Sequence, residues 1–406
     1  MELQPHEFNL RHLRAFAEVC RTGSFSQAAE NMHLTQPAIT NAIASLERQL
    51  RTPLFTRGAR GVAGTDAASM FLFRIKRALN TLNQGLPRSS TPLPDHIETR
   101  ATSAQLRALI AIEDGGSYTA AARAIGASQP TVYRAARDLE ANLGAALFAK
   151  AQTDIALTRL GTRLAHNARL VFAEIEQGLQ ELDALSGQGA LRIRIGALPL
   201  ARATILSRAI DATDAAGHTL RVLVDDGPYA DLLHSLRTGA LDILVGALRD
   251  PAPASDIAQE MLFPDRLGVF CGPNHPLRGQ LNIIPTDLAP YPWVVPRTGT
   301  PTRSFFDSSM FTSQGDMIEP LVETSSMILV RDLLQTGNRL TLISRAQVAT
   351  ELRLGLLCEL PIDLQDPPRP IGITTRTGWY PTREQAHFLD ALRAVADREP
   401  ASMGSV

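Results

Sequence analysis

The sequence of 406 residues predicts a mixed fold, in which two small helical units precede an α/β half with two lobes. Two observations predict this organisation. Residues 12–57 recur at 105–150 without a gap, and a repeat of this length marks a duplicated structural unit. From residue 191 onward, short apolar strands alternate with helical segments, which is typical of parallel α/β architecture.

The composition is that of an ordinary globular protein, with 44% hydrophobic and 20% charged residues. Apolar runs of membrane-spanning length and a secretory signal are both missing from the sequence, and the three cysteines are far apart. We therefore expect a cytoplasmic protein with no membrane partner. The net charge is −1, yet residues 1–100 hold 12 Arg/Lys against 8 Asp/Glu, a local net of +4 (12 − 8). This local charge favours phosphate contacts on the first copy of the repeat.

Three helices are predicted in the first copy. Apolar residues at helical spacing lead up to Gly23, which ends the first helix. Ser24 is the expected N-cap of the second helix, and Thr35 that of the third, which continues to about Leu50. Pro37 lies in the first turn of the third helix, where a missing N–H group costs no hydrogen bond.

The outward face of the third helix is polar, and its short side chains are able to meet base edges. They are Gln36, Ala38, Thr40, Asn41 and Ser45. A tight turn between two helices, the second of them polar outside, indicates a helix-turn-helix, and the loop at 57–61 is a predicted basic wing. A plain three-helix bundle shows similar spacing. The duplication and the Gln-Pro start of both third helices disfavour that alternative.

Four strings in the first copy form a specific pattern. They are Ser-Phe-Ser-x-Ala-Ala at 24–29, Leu-Thr-Gln-Pro-Ala-Ile-Thr at 34–40, Leu-Glu-x-x-Leu at 46–50 and Pro-Leu-Phe-x-Arg at 53–57. The pattern resembles the N-terminal domain of LysR-type transcriptional regulators. The resemblance implies a winged helix-turn-helix that binds double-stranded DNA, with a recognition helix starting at Gln36-Pro37.

Candidate DNA-contacting residues follow from this resemblance and from the polar faces of both copies. In the first copy they are Ser24, Thr35, Gln36, Pro37, Ala38, Thr40, Asn41, Arg57 and Arg60. In the second copy they are Ser128, Gln129, Thr131, Tyr133, Arg134 and Lys150. Charge favours the first copy as the principal DNA-binding module. The second copy either reads DNA differently or serves as a spacer or dimerisation element.

An apolar stripe at helical spacing follows each copy, and it resembles the linker helix through which LysR-type regulators dimerise. A homo-oligomer, either dimer or tetramer, is therefore expected, although each stripe is also suited to packing on its own module. The predicted domains are winged helix-turn-helix modules at 8–66 and 101–160, a helix with a Pro/Ser linker at 67–100, a linker helix at 161–189 and an effector-binding domain at 190–398.

The α/β half resembles the effector-binding half of LysR-type regulators, which is akin to periplasmic binding proteins. Ligands of such folds lie between the lobes, at strand carboxyl ends and helix N-termini. The candidate effector-binding residues are Leu198, Pro199, Ala247, Thr298, Gly299, Thr300, Thr324, Ser325 and Ser326. Ordinary caps and turns are the alternative interpretation. Arg202, Arg297 and Arg303 are candidate sources of positive charge.

The sequence contains no convincing catalytic, metal-binding or cofactor motif, so we expect neither an enzyme nor a cofactor. Cys271 and Cys358 are 87 residues apart (358 − 271), and buried inert thiols are favoured over a redox pair. The predicted function is regulation of transcription by sequence-specific DNA binding, modulated by a small metabolite such as a carboxylate, aromatic acid or sugar derivative. The alternatives are a constitutive DNA-bridging protein without a ligand and a DNA-binding module fused to a catalytic α/β domain.

Overall fold

The computed structural model describes residues 3–58, 61–86, 96–150, 155–187, 189–217, 219–310, 318–365 and 368–398. The chain divides into two compact units. The N-terminal unit contains residues up to 191 together with 238–240, and the C-terminal unit contains the remainder. None of the helices within the described ranges combines the length and apolarity needed to cross a membrane.

Helices and strands of the N-terminal unit form two matching series. The first series is α1 (Leu10–Thr22), α2 (Phe25–Met32), α3 (Gln36–Leu50), β1 (Phe55–Gly58), β2 (Gly61–Gly64) and α4 (Asp66–Asn83). The second is α5 (Ser103–Gly115), α6 (Tyr118–Ile125), α7 (Gln129–Leu143), β3 (Phe148–Lys150), β4 (Ile155–Leu157) and α8 (Arg159–Leu185). A single 3-10 turn precedes each series, at Pro5–Glu7 and at Ile97–Thr99.

The repeated Leu-Glu pair ties each third helix to the hairpin that follows it. Leu46 and Leu139 are buried in the core. One carboxylate oxygen of Glu47 accepts hydrogen bonds from two amides at the start of the first hairpin, at 2.7 and 3.1 Å. Glu140 does the same in the second copy, at 2.8 and 3.1 Å. The two residues are repeated together because one supplies the core contact and the other closes the turn into the wing.

The helices after the hairpins, α4 and α8, pack against each other within this chain. They approach closely at Gly178, where a Cβ atom would lie 3.0 Å from the ring of Phe71. The sequence left open whether the stripes bind another subunit or their own module. In the structure each stripe covers the other, since the buried residues of both helices belong to one hydrophobic core.

A fully buried arginine, Arg74 of α4, lies in the contact between the two helices. It donates to Glu181 at 2.6 and 3.0 Å, to Gln177 at 3.0 Å and to Glu174 at 3.4 Å, all on α8. Burial lowers the pKa of Arg74, but the carboxylates of Glu181 and Glu174 outweigh burial and leave that pKa raised. The guanidinium therefore stays charged and fixes the register of the two helices.

The C-terminal unit alternates strands and helices. They are β5 (Leu191–Ala197), α9 (Pro199–Ala203), α10 (Ile205–Ala215), β6 (Leu220–Asp225), α11 (Tyr229–Arg237), β7 (Ile243–Ala247), β8 (Ile257–Asp265), β9 (Leu267–Cys271), α12 (Pro285–Leu288), β10 (Trp293–Val295), α13 (Pro301–Ser309), β11 (Val322–Glu323), α14 (Met327–Gln335), β12 (Leu340–Ser344), α15 (Ala349–Arg353), β13 (Cys358–Leu360), β14 (Arg369–Arg376) and α16 (Arg383–Ala396).

Two five-stranded sheets form the two lobes of this unit, with strand orders β6-β5-β7-β14-β8 and β11-β10-β12-β9-β13. Strand β7 is parallel to β5, and β10 is parallel to β11 and β12. Strands β14 and β9 run antiparallel to their neighbours. The predicted mixed fold, helical in its first half and α/β with two sheets in its second, is confirmed. The domain boundaries stay a prediction.

Replacement of Arg74 by alanine is expected to lower the free energy of unfolding of the N-terminal unit by about 3 kcal/mol, because Glu181 would be left without its buried counter-charge, whereas Glu174 keeps its ion pair with Arg77 at 2.7 Å. Urea unfolding of the full chain, followed by circular dichroism, measures this change. Arg21→Ala, which removes the exposed partner of Glu18, is the control and should leave the curve nearly unchanged. Equal effects of the two substitutions would contradict the structural role of Arg74.

Candidate functional site

The outward face of α3 holds most of the predicted DNA-contacting residues of the first copy. Gln36, Pro37, Ala38 and Asn41 are exposed, while Ile39 is fully buried. Exposure follows helical spacing, so α3 buries one face and presents the other to solvent. The exposed amides of Gln36 and Asn41 provide both donors and acceptors, as contacts with base edges require.

Three other predicted residues of the first copy use their hydroxyl groups within the fold. Ser24 caps α2 by accepting from the amide of Gln27 at 3.3 Å, and Thr35 caps α3 by accepting from Ala38 at 3.4 Å. Thr40 donates its hydroxyl proton to the carbonyl oxygen of Gln36 at 3.0 Å. Thr40 is thus left with acceptor capacity only, which makes it a weaker candidate for base contacts than Asn41.

The exposed face of α7 is bulkier and more basic than that of α3. Gln129, Thr131 and Arg134 are exposed, and Tyr133 is 44% exposed. Thr131 lies 2.8 Å from the Ser128 hydroxyl, which also caps the helix. The two copies therefore present different chemistry at equivalent positions.

Packing fixes the ring of Tyr133 on this face. The ring meets the edge of Tyr118 with a centroid separation of 5.2 Å, and the Arg137 guanidinium lies 5.4 Å from its centroid. The remaining candidates belong to the wings. Arg60 and the side chains of Arg57 and Lys150 lie outside the described residues.

A cavity of about 590 Å³ lies between the two lobes of the C-terminal unit. It opens at the carboxyl ends of β5, β7 and β10, where ligands of open α/β sheets bind. Eight of the predicted effector-binding residues line it: Leu198, Pro199, Ala247, Thr298, Gly299, Thr300, Thr324 and Ser325. Ser326 is not among the lining residues and instead caps α14, accepting from the amide of Leu329 at 3.4 Å.

Arg249, two residues beyond β7, lines this cavity and was not singled out from the sequence. Its guanidinium carbon lies 4.3 Å from the ring centroid of Tyr229. The Nη1 atom of Arg249 and the hydroxyl of Tyr229 are both buried without a hydrogen-bond partner among the described residues. The side chain of Gln259 fixes the Arg249 backbone, accepting from its amide at 3.0 Å and donating to its carbonyl at 2.9 Å.

A second arginine that lines the cavity is Arg369, at the start of β14, and a neighbouring carboxylate compensates its charge. It donates to Asp265 at 2.6 Å and to the hydroxyl of Thr302 at 2.7 Å. Asp265 also accepts from Ser344 at 2.6 Å, so this buried carboxylate neutralises Arg369. Burial lowers the pKa of Arg249; Tyr229 opposes this effect, and the charge of Arg369 adds to it. Among the described residues no carboxylate pairs with Arg249. Of these two guanidinium groups in the cavity, that of Arg369 is neutralised by Asp265 and that of Arg249 is not.

The three arginines considered from the sequence have different surroundings. Arg202 lines the cavity and is paired with Asp226, while Arg297 also lines it. Arg303 is engaged by Asp307 at 2.7 Å and by the carboxylate of Glu323 at 2.6 Å, and it is not a lining residue. Within the described ranges, no cluster of three or more His, Cys, Asp or Glu side chains is arranged to hold a metal ion.

Cys271 and Cys358 are brought together by the fold. They are directly opposed residues of the antiparallel strands β9 and β13, and both are free thiols. Burial, and to a lesser extent the neighbouring Cys358, raise the pKa of the Cys271 thiol to about 12. At neutral pH Cys271 is protonated and is a poor nucleophile.

Models of known protein families match both helix-turn-helix copies and the α/β half of this chain. The family model "Bacterial regulatory helix-turn-helix protein, lysR family" matches residues 10–69 and 103–162, and "LysR substrate binding domain" matches 186–397. The two helix-turn-helix matches suggest a duplicated N-terminal domain.

Relatives match most of the chain. The HTH-type transcriptional regulator GalR of Pseudomonas putida is 31% identical over 394 residues, covering 95% of this chain and 97% of that protein. The HTH-type transcriptional regulator PcaQ of Agrobacterium fabrum is 25% identical over 300 residues, covering 74% and 96%. The crystal structure of CbnR, a LysR family transcriptional regulator, is 19% identical with a TM-score of 0.48, covering 72% and 98%.

A helix-turn-helix region joined to an effector-binding α/β half defines a DNA-binding transcription regulator that responds to a small molecule. The chain belongs to the LysR family of transcriptional regulators, as its two family matches and its 31% identity to GalR show. Members of this family are regulators and not enzymes. The predicted function is confirmed at this level, and the ligand-free bridging protein and the catalytic fusion are not favoured.

Cys271 is expected to resist alkylation in the folded protein. Its pKa of about 12, against an ordinary 9.0, lowers the thiolate fraction about a thousandfold at pH 8. Iodoacetamide labelling of the native chain at pH 8, read by peptide mass spectrometry, tests this directly. Labelling in denaturant supplies the reference for complete reaction. Native labelling of Cys271 at the denatured rate would contradict the assigned burial.

Proposed function

We propose that both helix-turn-helix copies are winged DNA-binding domains, each inserting its third helix into the major groove. The equivalent exposed faces of α3 and α7 support this proposal, as do the two matches to the family's DNA-binding domain. On the first copy, Gln36 and Asn41 contact base edges, because their amides are exposed and make no side-chain hydrogen bond with the described residues. On the second copy, Gln129 and Arg134 take the same role.

The remaining candidates position the domains on the phosphates. Ser24, Thr35 and Ser128 cap the N-termini of α2, α3 and α7, and the amides of a helix N-terminus are favourable partners for phosphate oxygens. Pro37, Ala38, Thr40, Thr131 and Tyr133 complete the two proposed faces. Arg57, Arg60 and Lys150 are proposed to contact the backbone from the wings. Acting on chromosomal DNA places the protein in the cytoplasm.

The effector is proposed to be a small carboxylate, and Arg249 is the observation that carries this assignment. Its buried Nη1 has no hydrogen-bond partner among the described residues, and the Tyr229 hydroxyl beside it is in the same state. A buried polar group without a partner is costly, and a carboxylate would satisfy both groups at once. Thr298 and Ser325 offer further hydroxyls on the other lobe, and Thr324, which accepts from the Ser326 amide at 3.1 Å, keeps its hydroxyl proton for a ligand. The hydroxyl of Thr300 is used by the fold, since it donates to the carbonyl of Arg297 at 3.0 Å and accepts from the amide of Arg303 at 3.2 Å.

The remainder of the cavity favours an effector with an apolar body. Val295, Val330, Ile343 and Ile371 contribute to its wall, together with Leu198. A volume of about 590 Å³ lies in the range of about 300–1,000 Å³ that small-molecule sites occupy. An aromatic acid satisfies both requirements, and a sugar acid satisfies the charge requirement but not the apolar wall.

Ligand binding between the lobes is proposed to shift the chain between two arrangements of its DNA-binding domains. Such a shift requires that the effector bind one arrangement more tightly than the other. We further propose that the chain assembles into a homodimer or a tetramer. Its domains are proposed to have the boundaries predicted from the sequence.

Arg249→Gln is expected to weaken binding of an aromatic carboxylate about 10- to 100-fold, the cost of losing a charge-assisted hydrogen bond. Isothermal titration calorimetry with benzoate, salicylate and their neutral amides measures the change. Arg202→Gln is the matched control, because Arg202 lines the same cavity but already has Asp226 as a partner. If the amides bind as tightly as the acids, the carboxylate assignment is wrong.

Asn41→Ala is expected to reduce affinity for a specific operator about tenfold or more through loss of a bidentate base contact. Footprinting on the DNA upstream of the protein's own gene locates the operator, and fluorescence anisotropy then gives the Kd. Arg221→Ala, an exposed change in the C-terminal unit, serves as the control. A wild-type protein that protects no particular sequence would overturn the proposed mode of DNA binding.

A further inference from the structure

The contact between α4 and α8 has the form of a two-fold interface folded into one chain. The repeat offset of 93 residues places residues 66–83 over 159–176, so the two helices occupy equivalent positions in the two copies. Equivalent residues are buried in each. The pairs are Phe71 and Leu164, Ile75 and Ala168, Ala78 and Val171, and Leu82 and Ile175, all at most 1% exposed.

Polar contacts across the two helices are reciprocal as well. Arg74 donates to the side chain of Gln177 at 3.0 Å. The pair displaced by 93 residues is Asn167 and Gln84, and Asn167 donates to the carbonyl oxygen of Gln84 at 2.8 Å. In a two-fold interface each contact occurs twice with the partners exchanged. Here both contacts occur inside a single polypeptide.

The 3-10 turn that precedes each copy packs on the other copy. The turn at Pro5–Glu7 packs on α5 and α8, which belong to the second copy. The turn at Ile97–Thr99 packs on α1 and α4, which belong to the first. Hydrogen bonds hold both exchanges: Ser103 donates to the carbonyl of Phe8 at 2.5 Å, and Arg11 donates to that of Thr99 at 2.9 Å.

We infer that a single chain is a built-in pseudodimer that reads both half-sites of one operator. The offset of 93 residues that relates α4 to α8 also relates the recognition helices α3 and α7, which are joined to α4 and α8 through equivalent hairpins. Two-fold symmetry in a helix-turn-helix dimer is mirrored by inverted half-sites in its DNA. The operator bound by one chain is accordingly a pair of inverted half-sites. This inference rests on the proposed role of α3 and α7 in binding DNA.

The half-sites in this operator differ in sequence. At equivalent positions, the first recognition helix has Ala38 and the second Thr131, and Asn41 is replaced by Arg134. Asparagine pairs preferentially with adenine and arginine with guanine in the major groove. A palindrome would satisfy only one of the two helices. The operator of this protein is therefore asymmetric, even though its binding unit is nearly symmetric.

Symmetrised operators test the inference with the full-length protein. One inverted repeat of the wild-type footprint, the segment assigned to a single chain, is divided at its centre into halves L and R, and duplexes L–R, L–L and R–R are made with the same spacing. We expect L–R to bind at least about tenfold more tightly than either symmetrised duplex, since each symmetrised duplex presents mismatched base pairs to one of the two recognition helices. Equal or tighter binding of L–L or R–R would show that two chains present the same copy, which overturns the inference.

Substitutions in the two recognition helices assign the halves. The Asn41→Ala protein is expected to bind with an affinity that no longer depends on base changes in one half of the operator, while it still depends on base changes in the other half. The Arg134→Ala protein is expected to show the same loss in the opposite half. Arg221→Ala is the matched control for loss of an exposed arginine. If Arg134→Ala leaves both halves unaffected, the second copy is a spacer and the inference fails. Thermal unfolding confirms that each surface variant remains folded.

A mixing experiment shows whether one chain reads both halves. Chains carrying Asn41→Ala are equilibrated with chains carrying Arg134→Ala, and binding to L–R is measured. We expect the mixture to bind no better than its better component, because every chain has one damaged helix. Recovery of wild-type affinity would show that the halves are read by different chains, which overturns the inference. Absence of any selective wild-type binding is a separate outcome, and it refutes the DNA-binding proposal itself.

Discussion

The buried ion-pair cluster around Arg74 is the interaction on which the N-terminal half depends. A guanidinium with no exposed surface is held by two carboxylates and an amide, all projecting from one face of α8. Leucine in place of Arg74 would suit the apolar surroundings but would tolerate several registers of the two helices. An ion pair with this many directional hydrogen bonds allows only one register of the two helices. Its contribution is therefore specificity of pairing more than net stability.

The helix pairing in turn determines where the recognition helices stand. Each third helix is joined to its wing by Glu47 or Glu140, and each wing leads directly into α4 or α8. Any shift of α4 along α8 would thus be transmitted to the DNA-binding faces. In the C-terminal unit, the two sheets place their strand ends around a common cavity. The strands set the positions of the lining residues, and the short loops after them supply the polar groups.

Much of this organisation was visible in the sequence, because local pattern determines local structure. The gapless repeat predicted two equal helical series, and the strand-helix alternation predicted where the cavity-lining loops begin. Contacts distant in sequence were not visible. Arg74 is separated by 100 residues from Glu174 (174 − 74), and nothing in its own stretch distinguishes a buried arginine from a solvated one. The spacing of Glu174, Gln177 and Glu181 on one helical face was the available signal. Arg249 was missed for a related reason, since its importance comes from Tyr229 and Arg369 beside it.

Covalent connection of α4 to α8 also changes the thermodynamics of the DNA-binding half. When two separate chains form such an interface, its occupancy falls with dilution, because association is bimolecular and governed by mass action. Here the partner helix is attached through the intervening chain and is present at a high effective concentration at any expression level. The pairing of α4 with α8 is therefore independent of how many copies of the protein a cell contains. Each recognition helix is also free to diverge, since a mutation in one copy is not imposed on the other.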